Sequence, residues 1–442
     1  MNTIEGATSL TIDSLPAELL AHVFTFLAEH APSDLRLHDQ PDADMLRVSD
    51  PHAQYLKNVS LVNRQWRATV LPLLFSHAVW YLDRLDLMRV EQSMSPSAIP
   101  LLAFIRDNKN HNLAPYVKSL TLVFSSAHPG GGNGDIGLYR RGDGSGHYGY
   151  SPEPLSPSLL HRGERDIIFN EDTNWLWRLL FDVINPLRFT IIASPRILAS
   201  LLARMLFLGD EWIFSQTHHI LSLSREESKA VRPESVHKKT PTEVRPPDPN
   251  FLSSSSSLPR PTTPRVPCAL FSIRPWTSVL LNEGSSTQVY KTYEYFHRRP
   301  PSLLGGLLGA EAFPNDAALV PPTIQALSYV GIFPLADHVR LLVENLPRIE
   351  RLFVQIVPRN DILKDRFQMK GLDMDDLWAE RDSAYAHIIS RIRGGTSQDG
   401  NWRYLREFES GDVADEEAWE VVGQILASPE WRLVKDGVFN RK

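Results

Sequence analysis

The chain has 442 residues, 46 basic and 52 acidic side chains, a net charge of −6 and one cysteine, Cys268. A single cysteine excludes an intramolecular disulfide and a multi-cysteine zinc site. The acidic balance excludes a broad phosphate-binding surface as the default mode, so nucleic acid is not an expected partner. Apolar residues make up 42% and charged residues 22%, an ordinary globular composition. The length allows roughly two or three domains. The 33 prolines, about 7.5% of the chain against a usual value near 5%, predict long irregular segments.

Residues 1–13 carry neither a basic start nor an apolar stretch of signal length, so no secretory signal is expected. The most apolar window, 176–208, is interrupted by Arg178, Asp182, Pro186, Arg188, Pro195, Arg196 and Arg204. No run of about 18 uncharged apolar residues exists, and no membrane span or membrane partner is expected. The expectation is an intracellular protein of the cytoplasm, the nucleus or both.

In chain order, the first predicted element is a helix over 15–27. Pro16 suits a first turn, Glu18 suits the positive helix N-terminus, and Leu19, Leu20, Val23, Phe24 and Leu27 form a wide apolar face. A second helix is predicted over 55–69, with Leu56, Val59, Leu61, Val62 and Trp66 apolar and Pro72 as a break. Helices over 97–108, 175–184, 195–207, 335–346 and 415–426 alternate with strands over 116–124, 187–192, 324–330, 349–357, 403–408 and 431–434. Three junctions look alike, around Pro115, Pro186 and Pro347. Each ends a helix and enters an alternating apolar strand, and proline enforces the break because it bars the preceding residue from helical geometry. Two arrangements satisfy this pattern. Stacked α-then-β units are favoured, and a generic α/β domain with a mixed sheet is the alternative. Two segments are predicted to be disordered: 128–163, which opens with nine glycines between residues 128 and 149, and 222–267, which holds Ser253 to Ser257 and a run of prolines.

The N-terminal signatures are Leu15-Pro16-Ala17-Glu18-Leu19-Leu20, continued by Val23, Phe24 and Leu27, and then Ser60-Leu61-Val62-Asn63-Arg64-Gln65-Trp66-Arg67. Together they resemble the F-box family. The resemblance implies a three-helix module over 11–80 that binds a Skp-type adaptor and, through it, a cullin. The implied adaptor-binding residues are Leu15, Pro16, Leu19, Leu20, Val23, Phe24, Leu27, Leu61, Val62 and Trp66, some of which must instead hold the helices together. One departure is length: 28–55 is far longer than the usual connection. It carries Glu29, Asp34, Asp39, Asp42, Asp44 and Asp50 against Arg36 and Arg47. Loop closure cost grows slowly with length, so the module can still fold, but the insertion could obstruct the adaptor. The region 97–442 resembles the degenerate leucine-rich-repeat-like domains that follow F-boxes in many fungal proteins. The overall fold class expected is α/β (α+β overall).

Other motifs carry less. Gly132-Asn133-Gly134-Asp135-Ile136-Gly137 matches a dinucleotide fingerprint in letters, but the helix that must follow is replaced by further glycines. His218-His219 reads as a surface pair, since neighbours on a helix do not share a face. Cys268, flanked by Leu270, Phe271 and Ile273, reads as a buried thiol on a strand. Thr240-Pro241 and Thr263-Pro264 are candidate phosphorylation dipeptides. Trp276, Tyr290, Tyr293, Tyr295 and Phe296 form an aromatic-rich stretch best explained by packing. No residue is nominated as catalytic, and no cofactor or metal is implied. Three functions fit: a ligase substrate receptor that holds an unidentified protein target near a transferase, a non-ligase adaptor, or an enzyme in the α/β region. The first is the reading favoured.

Overall fold

The computed structural model describes residues 12, 15–28, 32–41, 51–82, 91–93, 95–107, 112–124, 173–204, 206, 218–226, 268–298, 301–310, 317–358, 361–393, 400–412, 423 and 430–442. The fold is mixed α/β, built on one ten-stranded sheet in the order β1-β2-β3-β4-β5-β6-β7-β8-β10-β9. The strands are β1 (His77–Leu82), β2 (Ser119–Phe124), β3 (Arg188–Ala193), β4 (His219–Ser224), β5 (Ser278–Ser285), β6 (Ala326–Ile332), β7 (Arg351–Gln355), β8 (Glu407–Ser410), β9 (Trp431–Lys435) and β10 (Val438–Arg441). The eight strands β1 to β8 lie side by side in chain order, so each pairs with its sequence neighbour. Pairing is parallel through β1-β2-β3 and again through β5-β6-β7-β8, whereas β4 runs antiparallel to both of its neighbours.

A repeated backbone device sets this register. The carbonyl just before a strand accepts two N–H groups from the start of the next unit. Ser76 O takes Lys118 N and Ser119 N at 2.7 and 3.0 Å, and Lys118 O takes Leu187 N and Arg188 N at 2.7 and 3.1 Å. Beyond β4 the pattern resumes, with Thr277 O, Gln325 O and Glu350 O taking the paired amides of residues 325–326, 350–351 and 406–407. The strand entries at Ser119, Arg188 and Arg351 coincide with the three look-alike junctions. Pro186 removes one competing donor two residues before β3, whereas Pro115 lies inside the single 3-10 turn Ala114–Tyr116 that precedes β2.

Strand side chains alternate between two faces. One face carries Leu120, Leu122, Phe189, Ile191, Leu221, Leu223, Val279, Leu281, Leu327, Leu352, Val354 and Phe408, all in one core cluster with the helices. The helices α1 (Ala17–Thr25), α2 (Pro32–Leu35), α3 (Pro51–Val59), α4 (Arg64–Leu74), α5 (Pro100–Arg106), α6 (Asn174–Phe181), α7 (Pro195–Leu201), α8 (Leu304–Leu308), α9 (Ala336–Glu344), α10 (Arg366–Met369) and α11 (Met374–Arg393) complete the fold. From α5 onward the longer helices bury one side each against that face, through Leu102 and Ile105, Leu176 and Trp177, Val339 and Leu342, and Leu377 and Ile388. The opposite face has a second, small cluster of Leu37, Val123, Ile192, Ile220 and Leu280.

Several expectations are corrected. The helix expected over 55–69 is two helices, because the Asn63 side chain accepts from Trp66 N at 2.8 Å and starts α4 anew. Pro72 lies inside α4 rather than breaking it. The helix from Pro195 ends at Leu201. The segment expected to be disordered from residue 222 opens with β4, which runs to Ser224, and description continues to 226. His218 and His219 are buried, not a surface pair. Cys268 is buried, yet it precedes a single 3-10 turn over Ala269–Phe271 instead of lying on a strand. Residues 401–404 form a 3-10 turn, and β8 follows it. The segment 128–163, the glycine motif and both Thr-Pro dipeptides lie outside the described residues, as does the helix expected over 415–426 apart from Gly423.

Candidate protein-docking site

The N-terminal module has its own core. Leu20, Phe24, Leu56 and Val70 are buried together, and Leu15, Leu27, Val59, Trp66, Leu73 and Leu74 pack around them. Full burial of such side chains is worth about 1.5–3 kcal/mol each. Helix α1 presents two apolar stripes. Leu20, Phe24 and Leu27 point inward, as the i, i+4, i+7 spacing requires. Leu19, Val23 and Phe26 follow the same spacing one position earlier and are 52%, 42% and 76% exposed. The turn between α3 and α4 exposes Leu61 and Val62 as well, at 75% and 57%. His22 and Phe26 meet edge to face at 5.2 Å, which stiffens the outer stripe.

The structure therefore divides the ten sequence-predicted contact residues. Leu19, Val23, Leu61, Val62 and Pro16 are exposed. Leu15, Leu27 and Trp66 are partly covered, and Leu20 and Phe24 are interior. Phe26 belongs with the outer stripe and was not among the ten, although its place seven residues after Leu19 was a readable signal. A small module that closes one core and leaves a second apolar stripe open has the character of a docking surface.

A second cluster lies at the register shift in β5, between Asn282 and Gly284. Glu283 is buried, and four donors converge on it. Its Oε1 accepts from Ser302 Oγ at 2.7 Å and Leu303 N at 3.0 Å, and its Oε2 accepts from Tyr329 Oη at 3.2 Å and His338 Nε2 at 3.1 Å. Burial acts to raise the Glu283 pKa. The His338 hydrogen bond and charge, the His219 charge and the Ser302 hydroxyl outweigh it and hold the carboxyl below its ordinary value. Tyr329 is pushed well above the usual phenol range by burial and by Glu283. His219 is fully buried, and burial, opposed by the Glu283 charge, lowers it to about 4.

The same His338 nitrogen meets Ser302 Oγ, at 3.1 Å, and Glu283. A serine–histidine–carboxylate relay uses the two ring nitrogens for different partners. This arrangement instead pins the chain segment at 302–303 to β5, β6 and α9. Among the described residues no group of three His, Cys, Asp or Glu side chains could hold a metal ion. No described helix is long and apolar enough to cross a membrane. Comparison with protein-family models, with curated proteins and with solved structures found no match to this chain.

Proposed function

We propose that this chain is a substrate-recruiting subunit of a Skp–cullin–F-box ubiquitin ligase. In this reading the module over 15–75 resembles an F-box and binds a Skp-type adaptor, and the sheet region, leucine-rich-repeat-like in its parallel parts, presents a protein target. The observation that carries the reading is the open stripe of Leu19, Val23 and Phe26 on a helix whose neighbouring stripe is already buried. The residues of that helix and of the α3–α4 turn are the ones that carry the family resemblance. The chain's role is proximity: it holds a target near a transferase that it does not contain, which raises effective concentration.

The test is a pull-down of the tagged full chain, probed for the Skp-type adaptor and the cullin, beside a Val23→Asp/Leu61→Asp double variant. Both partners are expected with the native chain and neither with the variant, at unchanged far-UV circular dichroism. Each buried leucine-sized anchor contributes about 1.5–3 kcal/mol, so its loss weakens binding at least about tenfold. Adaptor without cullin turns the reading into a non-ligase adaptor. Absence of adaptor from a well-folded native preparation defeats it.

A further inference from the structure

The acidic segment between α1 and α3 is where the molecule departs most from the module it resembles, and its described part does not stay with the helices. Residues 32–41 lie on the sheet face opposite the helix-side core. Leu37 is the anchor, buried against Val123, Ile192, Ile220 and Leu280 from four successive strands. The register makes this socket a row: Val123 pairs with Ile192, Ile192 with Ile220, and Ile220 with Asn282. Asn282, fully buried, closes the row. Its Nδ2 donates to Leu37 O at 2.8 Å and to Asp39 O at 2.7 Å, and its Oδ1 accepts from Gly284 N at 2.9 Å. Asp34 pairs with Arg188 Nε at 2.9 Å, at the entry of β3. His38 rests on the Phe353 ring with centroids 4.6 Å apart.

These contacts have the form of peptide recognition: one apolar side chain in a pocket, one amide that clamps backbone carbonyls, and one charged pair that sets direction. The main core contains no residue of this segment. The helix-side core therefore closes without it, and the segment packs on the other face through Leu37, as a ligand does. Yet Asn282 is placed where it needs two carbonyl acceptors, because a buried amide without partners is costly. From these observations we infer that the face of the sheet opposite the helices is a peptide-binding surface for a protein segment with a carboxylate three residues before a leucine, and that Asp34-Leu35-Arg36-Leu37 occupies it in cis as a pseudo-ligand. The inference deepens the proposed function and rests on its assignment of the sheet region as the part that presents a target. It names the chemistry of that target and gives the long insertion an autoinhibitory role, since the target must displace it.

A labelled peptide of residues 32–41 is titrated into the full-length protein by fluorescence anisotropy. The native chain, its socket filled, is expected to bind at least tenfold more weakly than a Leu37→Ser chain, and adding Asn282→Ala to the latter is expected to abolish binding. A peptide with its leucine replaced by serine is expected not to bind. Equal binding to the native and Leu37→Ser chains, or none to a folded Leu37→Ser chain, overturns the inference. Should Leu37→Ser not fold, hydrogen exchange on the native chain decides. Amides of 34–39 are expected to exchange at least tenfold faster than those of β3 to β5. Equal protection would make the segment an integral part of the fold and overturn the inference. The adaptor pull-down uses other residues, on the helical module, so either idea can fail while the other stands.

Discussion

The rings of Phe24 and Trp66 meet with centroids 5.2 Å apart and planes tilted by 57°. This pair joins α1 to α4, so an aromatic contact inside the module's core links the two sequence signatures. The adjacent Val23 points the other way and is exposed. Phe24→Ala is therefore expected to destabilise the module by about 3–5 kcal/mol through cavity formation. Val23→Ala should stay within about 0.5 kcal/mol, as surface positions do. Urea denaturation followed by far-UV circular dichroism separates the two. A similar cost for both would mean that the outer stripe is not a surface.

Asn63 gives a second, finer test. Its side chain caps α4 by accepting from Trp66 N, and Ser60 closes the preceding turn by donating to Lys57 O at 2.6 Å. Asn63→Ala is expected to cost about 1 kcal/mol, while Asn63→Asp, an equally good cap, should be nearly neutral. Thermal melts of the three chains check this ordering. An alanine variant as stable as the native chain would show that the break between α3 and α4 is held by packing instead.

How much of this was legible beforehand follows from what each segment buries. β2, β3 and β7 could be read because proline marks their entries and apolar residues alternate. Helix α9 could be read from Val339, Leu342, Val343 and Leu346. β5 and β4 were hidden because both faces are covered. Asn282, Glu283 and Ser222 then occupy buried positions that a polarity pattern assigns to solvent, and His219 did the same for the histidine pair. Helix α11 was hidden for the opposite reason. It is charged on most sides, and only Leu377, Ala384, Tyr385, Ile388, Ile389 and Ile392 along its 20 residues are buried. Within the docking site, the sequence identified the apolar residues of α1 but not which stripe faces in, since both have helical spacing. Nothing local in 32–41 announced that Leu37 docks on a distant strand, because that contact depends on tertiary register.

Asp412 tests the far end of the sheet. Its carboxylate accepts from Ile356 N and Val357 N, at 3.0 and 2.9 Å, and from the Tyr385 hydroxyl of α11. Burial and the Asp412 charge push the Tyr385 phenol well above its ordinary range, so it remains a donor. Asp412→Ala leaves two buried amides without this acceptor, each at about 1–3 kcal/mol, while the Tyr385 phenol keeps Ser410 Oγ at 2.8 Å. Tyr385→Phe removes a single donor from a carboxylate that keeps its backbone partners, and should cost about 1–2 kcal/mol. Urea midpoints should rank the native chain first, Tyr385→Phe second and Asp412→Ala last. The reverse order for the two variants would mean that the α11 contact, not the strand end, is what the carboxylate serves.

The Glu283 cluster predicts how stability follows pH. His219 has a folded value of about 4 against 6.5 for an ordinary imidazole. Between those values the unfolded chain takes up a proton that the folded chain refuses, so stability falls as pH drops from 6.5 towards 4. At about 1.4 kcal/mol for each unit of difference, the full effect is about 3 kcal/mol. Glu283 acts in a lower window. Its folded value lies below the ordinary 4.5, so its contribution is complete above 4.5 and is lost as pH falls through the folded value. His219→Gln should flatten the stability profile between pH 6.5 and 4 and, because the His219 charge helps hold the Glu283 carboxyl down, shrink the acid limb without abolishing it. Glu283→Gln should act differently. An amide offers one acceptor oxygen, so one pair among Ser302, Leu303, Tyr329 and His338 would face an NH2 group. The chain should then be destabilised at pH 7 by several kcal/mol, since each hydrogen bond to a charged group is worth about 1.5–3 kcal/mol. Urea titrations at closely spaced pH values measure both limbs. A His219→Gln chain that keeps the upper slope would assign that slope to another group and remove His219 from the account.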